Sequence, residues 1–530
     1  MNRRKFIHLV GSGAIGTSLS LSRASSLDGG TDLSLQGSAS TGLSRPSAPR
    51  KYLFTDLRIV DSGGLLWRNR AGELLPLNDP PMPQVDAIAD LGPTPFGIRL
   101  EAQPCRKEGP LDPIPPRGSV FDEGVYRAWR LNTNASDRGS PAIPPGAKVE
   151  SLTVTAYESR DGYEWTSRTG PEIAVQPFTA PDADFFVDRH APEAERFKGF
   201  LSVRLSRDHP RFEQLWERFQ NLHPRHRDPR VSRDELNCVF GLVSPDGLAW
   251  RLIETPLHVA KADADCIGLY DEWLGRYVMY TRSVRFQQRI IVRSESVDFR
   301  RWTPLEPIIW PDLQPPYTDE YYVNCYTGYP GLEGYHLMFP GVYHLDTESS
   351  ESDLFSSADG ICWDRVPGGP VYAPGGSGWE GGVFGYLRGN LIPLGGDRIA
   401  LPFSEVRHPH KYPRWPGVRD SLGGYAVWDK DRLSAIAADS YGRFQTLDLP
   451  VAGNELRVNV KVHQAGILQV GLDKVPGRSL DDCDPIVGDH STRVVTWRGE
   501  KALRIEPGAK VGIQFRMRSG KIFGFEWGQG

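Results

Sequence analysis

Acidic side chains recur where apolar, aromatic-rich runs begin. Asp184 and Asp188 flank "DFFVD", Asp263 and Asp265 open "DADCIGLYDEW", Asp319 and Glu320 open "DEYYVNCYTGYPG", and Glu380 opens "EGGVFGYLRGNLIPL". Two carboxyl groups facing one bond can break it when one keeps its proton to assist departure and the other, ionised, serves as base or nucleophile; glycosidic bonds are cleaved this way. The preferred trio is Asp263, Glu320 and Glu380, with Asp188 in reserve. Glu320 is the candidate acid, because crowding by Tyr321 and Tyr322 would desolvate a carboxyl and raise its pKa. Asp263 is left as base, nucleophile or stabiliser.

Other polar residues could bind rather than react. Arg282, Arg289 and Arg293 lie on one predicted strand pair, where alternation puts Arg289 and Arg293 on the same face; they could recognise an acidic or sulfated sugar, or form an ion-pair ladder. Trp379, Tyr322 and Tyr329 could stack on sugar faces, although aromatic residues of this kind also pack between sheets. Tyr322 with Arg293 would be the base and charge-neutralising pair of a lyase acting on uronic acids. Asp188 has a second reading, pinning "DRHAPEAER" through Arg189 or Arg196. His408 and His410 in "EVRHPHKYPRW" suit a binding loop at a rim, but they lack acidic partners and make a poor metal site. No phosphate-cradling loop and no nucleophile elbow is present, so no cofactor or metal is expected.

The elements that must bring such residues together are legible as a repeat. "SRDGYEW" (159–165), "SPDGLAW" (244–250) and "SADGICW" (357–363) share one pattern, with a looser copy in "SESVDFRRW" (294–302). The Asp-Gly step supplies the positive φ of a tight turn, and the Trp three residues on belongs to the returning strand; Asp161, Asp246 and Asp359 are therefore turn residues. Five apolar leading runs, about 55 to 80 residues apart, match four-stranded propeller blades with insertions better than solenoid repeats. The expected fold is all-β: a five-bladed β-propeller over residues 51–425, closed by the segment from Lys51, then a β-sandwich over 426–530. In the latter, "ELRVNVKVHQAGILQVGL" and "VGIQFRMRSGKIFGFEW" alternate, and "RSGK" reads as a hairpin turn. A simple sandwich or a six-bladed ring is the competing architecture.

These hairpins, five blades and a terminal sandwich resemble the invertase, levanase and arabinanase group of glycoside hydrolases. "YLFTDLRIV" (52–60), "FVDRHAPEAERFKGF" (186–200), "GRYVMYTRS" (275–283), "RIIVRSESVDFRRWT" (289–303) and "WEGG" (379–382) resemble a group of exported bacterial glycosyl-hydrolase-like proteins over most of the chain from Lys51. The resemblance implies a carbohydrate substrate. Asp56 matches the first-strand position of the catalytic aspartate in the invertase group, but the Asn-Asp-Pro pattern around it is missing, so that mechanism is not carried over.

Composition narrows the alternatives. With 62 Lys and Arg against 66 Asp and Glu, the net charge of −4 offers no basic surface for nucleic acid. The 530 residues include 56 Gly, 44 Pro and only five Met, which favours turns and strands over helices. Residues 1–25, with Arg3 and Arg4 before a short apolar run, read as a twin-arginine-type signal peptide; 26–50 read as a disordered linker. A periplasmic or secreted protein with no membrane segment after signal removal is expected. The six cysteines form no metal-binding pair, and an exported setting permits disulfides without specifying any. An exported hydrolase and a non-catalytic carbohydrate- or partner-binding propeller both fit these residues.

Overall fold

The computed structural model describes residues 50–62, 94–134, 147–222, 234–260, 262, 265–285, 288–311, 318–375, 383–410 and 421–529. The expected signal peptide and nearly all of the linker lie outside them. The chain is all-β, and every strand pairing among the described residues is antiparallel. No described helix is long and apolar enough to cross a membrane.

Sheets follow one another in chain order. The first contains Val120–Asp122, Val125–Thr133, Val149–Ser159 and Thr166–Thr169. The long strand Ile173–Val187 serves two neighbours, pairing with Val149–Ser159 up to Phe178 and with Phe197–Ser206 from Thr179 on, so the second sheet, which continues through Glu235–Ser244 and Arg251–Val259, is continuous with the first. The third is Ile267–Asp271, Arg276–Arg285, Gln288–Ser296 and Glu306–Ile309. The fourth region, from Asp319 to Arg365, is divided between a three-stranded and a four-stranded sheet. The fifth joins Phe384–Leu387, Ile392–Leu394, Arg398–Val406 and Ser421–Asp429, with Arg106–Glu108 on its outer edge. This last pairing corrects one expectation: Arg106–Glu108 completes the fifth sheet, whereas Lys51–Leu53 pairs with Ile513–Gly528 of the C-terminal sheet. Tyr52 stacks on Phe525 there and Phe54 packs against Phe444 and Phe515, so apolar burial holds the first strand in the C-terminal core. The described residues fall in one unit, Ala48–Gly530, and the boundary expected after residue 425 falls within the strand Ser421–Asp429.

The repeated turns have one chemistry. In "SPDGLAW", Asp246 Oδ1 accepts the N–H groups of Leu248 (2.9 Å) and Ala249 (2.8 Å), Ser244 Oγ accepts that of Gly247 (3.0 Å), and Trp250 Nε1 donates to the Gly247 carbonyl (3.0 Å). The same bonds recur around Asp161 and Asp359. The loose copy begins at Ser296, and Phe299 takes the glycine position at φ +59°. Its ring is fully buried among Phe186, Phe200 and Tyr277, and this packing offsets the cost of about 1 kcal/mol for a left-handed residue other than glycine. Asp246→Ala removes the acceptor of two turn N–H groups. We expect it to cost about 1–2 kcal/mol, read from the urea midpoint, with Asp246→Asn intermediate.

Two local readings need revision. "RSGK" does not turn: Ile513–Gly528 runs straight through it, paired with Glu455–Leu472. Between Val462↔Gly520 and Ile467↔Arg518 the partner strand has four residues against one, Ser519 at φ +48°, so His463–Gly466 bulge outward and the pairing resumes. Among the described residues one α-helix occurs, Phe212–Leu222, and it is a departure from the all-strand expectation although Phe212, Leu215, Trp216 and Phe219 are spaced for one helical face; Phe212 and Leu215 are buried. All six cysteines are unpaired.

Candidate active site

The site is built where the chain enters the second and third sheets. Ala180 adopts φ +48° ahead of Pro181, and the register against Phe197–Ser206 slips by one residue between Thr179 and Asp182. This bulge redirects the strand just before it delivers Asp182 and Asp184, which alternation places on one face. The approach to the third sheet is tied to the same strands, since Ser202 Oγ donates to the Ala262 carbonyl at 2.6 Å. Asp265 follows at φ +52°, with its carbonyl accepting Asn324 Nδ2 (2.7 Å) and its N–H donating to Asp182 Oδ2 (3.3 Å).

Asp182, Asp184 and Asp265 thereby bring carboxylate oxygens within 4.8 Å of one another. The charge is countered by Arg388, from the turn after the fifth sheet's first strand, which pairs closely with Asp265 Oδ1 and lies 3.5 Å from Asp182 Oδ2. Arg388 is placed by backbone contact. Gly389, at φ +111°, packs so tightly that an added Cβ would stand 2.9 Å from Gly118 N and 3.1 Å from Gly118 Cα. Both are backbone atoms that cannot swing aside. Gly389→Ala is expected to cost about 1–3 kcal/mol through its dihedral alone, and more through the clash; thermal melting reads the loss.

Asp182, Asp184 and Arg388 line a cavity of about 770 Å³ together with Arg117, Arg130, Trp129, Tyr157, Phe185 and Phe403. Asp184 is half-buried, and its Oδ2 is enclosed with no hydrogen-bond partner among the described residues. Burial pushes its carboxyl up to about 7; Arg388 and Arg117 act against the shift, and Asp182 and Asp265 add to it. Burial raises Asp265 as well, against the opposing charge of Arg388. A carboxyl that keeps its proton near neutrality, beside a second carboxyl on the same open cavity, is equipped for proton transfer. Three carboxylates at this spacing also have the donor set of a hard-cation site, but the Arg388 guanidinium already occupies the cationic position among them.

The residues singled out in the sequence are distributed differently. Asp263, Trp379 and Glu380 lie outside the described residues. Glu320 is buried and ion-paired with Arg289, whose backbone N–H it accepts at 3.3 Å; it does not join the three aspartates. Asp188 lies four residues beyond Asp184, about 13 Å of extended chain. It does pin its loop, but through the N–H groups of His190 (2.9 Å) and Ala191 (3.1 Å) and through Lys198 (3.1 Å), while Arg189 and Arg196 bind Asp122 instead. Arg282 donates to the Tyr322 carbonyl (2.6 Å) and lies 4.6 Å over its ring, with Arg289 at 5.4 Å. Arg293 binds Glu295 (2.5 Å), so the Tyr322–Arg293 pair does not form. His410 stacks on Phe384 at 4.4 Å inside an aromatic cluster with Tyr322 and Tyr343, which places it in packing. Asp56 is held by Arg58 and Ser356, and Tyr329 by Asp431. Asp182 could have been found two residues ahead of Asp184 on the same face. Arg388 and Arg117 carry no local signal.

No protein-family model matches the chain, and no curated protein matches it in sequence. Among solved structures it is similar to an α-L-arabinanase of Penicillium chrysogenum complexed with arabinobiose (14% identity, 64% of this chain and 99% of that one, TM-score 0.33). A Bombyx mori β-fructofuranosidase of glycoside hydrolase family 32 matches at 9% identity over 82% and 94% of the two chains, TM-score 0.35. An N-acetylgalactosamine deacetylase from F. plautii, in complex with blood group B trisaccharide, matches at 10% identity over 62% and 94%, TM-score 0.34.

Proposed function

We propose that this protein is an exported glycoside hydrolase acting on a poly- or oligosaccharide, with Asp184 as acid and Asp182 as nucleophile, positioned by Asp265 and Arg388. The observation that carries this reading is the Asp184 carboxyl, held near 7 on a residue that lines an open cavity beside Asp182. Five successive antiparallel regions, of which the second, third and fifth supply Asp182 and Asp184, Asp265, and Arg388, support a five-bladed propeller, and the long paired strands Glu455–Leu472 and Ile513–Gly528 support a C-terminal β-sandwich packed on it. Asp263 and Glu380 belong to the same tests as Asp263→Asn and Glu380→Gln.

The spacing bears on stereochemistry. Carboxyl groups about 5 Å apart suit a covalent double displacement, whereas a water held between them requires about 6.5–9.5 Å. With the oxygens within 4.8 Å, hydrolysis is expected to retain anomeric configuration, which proton NMR of the first-formed product reads directly. The purified protein is screened against plant and algal polysaccharides for new reducing ends. Saccharide binding without cleavage of any substrate would replace this reading by the non-catalytic one.

A further inference from the structure

Arg117 is a cation whose field reaches Asp184 and Asp265 without a direct pairing among the described residues. It stands exposed on the cavity, and among the described residues it makes no hydrogen bond or ion pair. Its loop, "DPIPPRG" (112–118), is stiffened by Pro113, Pro115 and Pro116, and the contact of Gly118 with Gly389 anchors it beside Arg388. Arg130, also exposed on this cavity, donates from Nε to Asn132 Oδ1 (3.2 Å) and lies 5.7 Å over Tyr157, with its terminal nitrogens left for another partner. Three guanidiniums therefore line the cavity with Asp112, Asp182 and Asp184; Arg388 is engaged by Asp265 and Asp182, which leaves Arg117 and Arg130 as the guanidiniums on this cavity without an ion pair among the described residues. A rigid planar fork with five donors fits a carboxylate or sulfate in two-point contact.

We propose that the cavity selects an acidic saccharide, with Arg117 and Arg130 receiving a carboxylate or sulfate ester next to the bond that faces Asp182 and Asp184. This rests on the hydrolase reading for the position of that bond, but the binding claim can fail independently. An anion at Arg117 also cancels the positive field acting against the Asp184 proton, so binding and proton retention reinforce one another.

Titration calorimetry on Asp184→Asn, which leaves the ligand intact, compares an oligogalacturonate, a sulfated galactan oligomer and a neutral galacto-oligosaccharide of equal length. At least one anionic oligomer is expected to bind about tenfold or more tightly than the neutral one, and the better of the two identifies the anion. Adding Arg117→Ala should abolish most of that preference and Arg117→Lys restore part of it, while Lys474→Ala, which removes the same charge from an exposed site, leaves it unchanged. Equal binding of neutral and anionic oligomers, binding of neither anion, or a preference that survives Arg117→Ala overturns the proposal. Retaining cleavage of neutral substrates with no anion preference would reject this inference and keep the hydrolase reading; anion preference with no cleavage would do the reverse.

Discussion

Replacing Asp184 by Asn is expected to lower kcat by about 100- to 10,000-fold while leaving a folded protein, because an amide fills the same space but cannot deliver the proton. The wild type should lose activity as pH rises through about 7, where Asp184 gives up its proton. Stability supplies a second readout, on which the substitution acts in the opposite direction from its effect on activity. The folded state holds a proton that the unfolded chain releases near pH 4, so the wild type loses stability between about 4 and 7, by on the order of a few kcal/mol in total. Asn does not titrate. The melting curves of variant and wild type should therefore meet at about pH 4, diverge up to about pH 7 and stay apart by a constant amount above it, with the inactive variant the more stable. Wild-type turnover by Asp184→Asn would remove this residue from the chemistry, and parallel melting curves would show that its carboxyl is not held near neutrality.

Removing Arg388 should have the largest effect on stability. Asp265 is 3% exposed and Arg388 is its ion-pair partner, so Arg388→Met leaves a buried carboxylate without its paired charge. Breaking one side of such a pair costs about 3–5 kcal/mol, chiefly as the desolvation of the group left behind. The deficit is expected to shrink in the double variant Arg388→Met/Asp265→Asn and at acid pH, since both remove the uncompensated charge. Urea unfolding of the two single variants and the double variant measures the coupling. An Arg388→Met midpoint equal to that of wild type would show that the pair does not hold the site together.

The turns were legible because their bonds close within a few residues. Ser, Asp, Gly and Trp at fixed offsets satisfy one another locally, so the pattern in "SPDGLAW" specifies its geometry wherever it occurs. The pairing of Lys51–Leu53 with Glu526, Phe525 and Gly524 has no such signature, because it joins segments more than 450 residues apart. "RSGK" shows a related difficulty. Ser-Gly suits a turn or a bulge equally well, and only the partner strand, with its surplus of residues, decides between them.

The site divides in the same way. Residue types and strand patterning alone established an all-β chain and the hairpin turns, and marked carboxyl groups at the entries to the apolar runs as candidates; Asp184 and Asp265 stand among the residues so marked, outside the preferred trio of Asp263, Glu320 and Glu380. Tertiary structure decided which aspartates meet, that Glu320 is neutralised by Arg289 while Asp188 ties its own loop, and that Arg388 and Arg117 arrive from remote turns. The reason is range. A turn or an alternating strand is encoded by neighbours along the chain, but the burial that holds a proton on Asp184 and the guanidinium that balances Asp265 exist only once separate sheets have packed their backbones together.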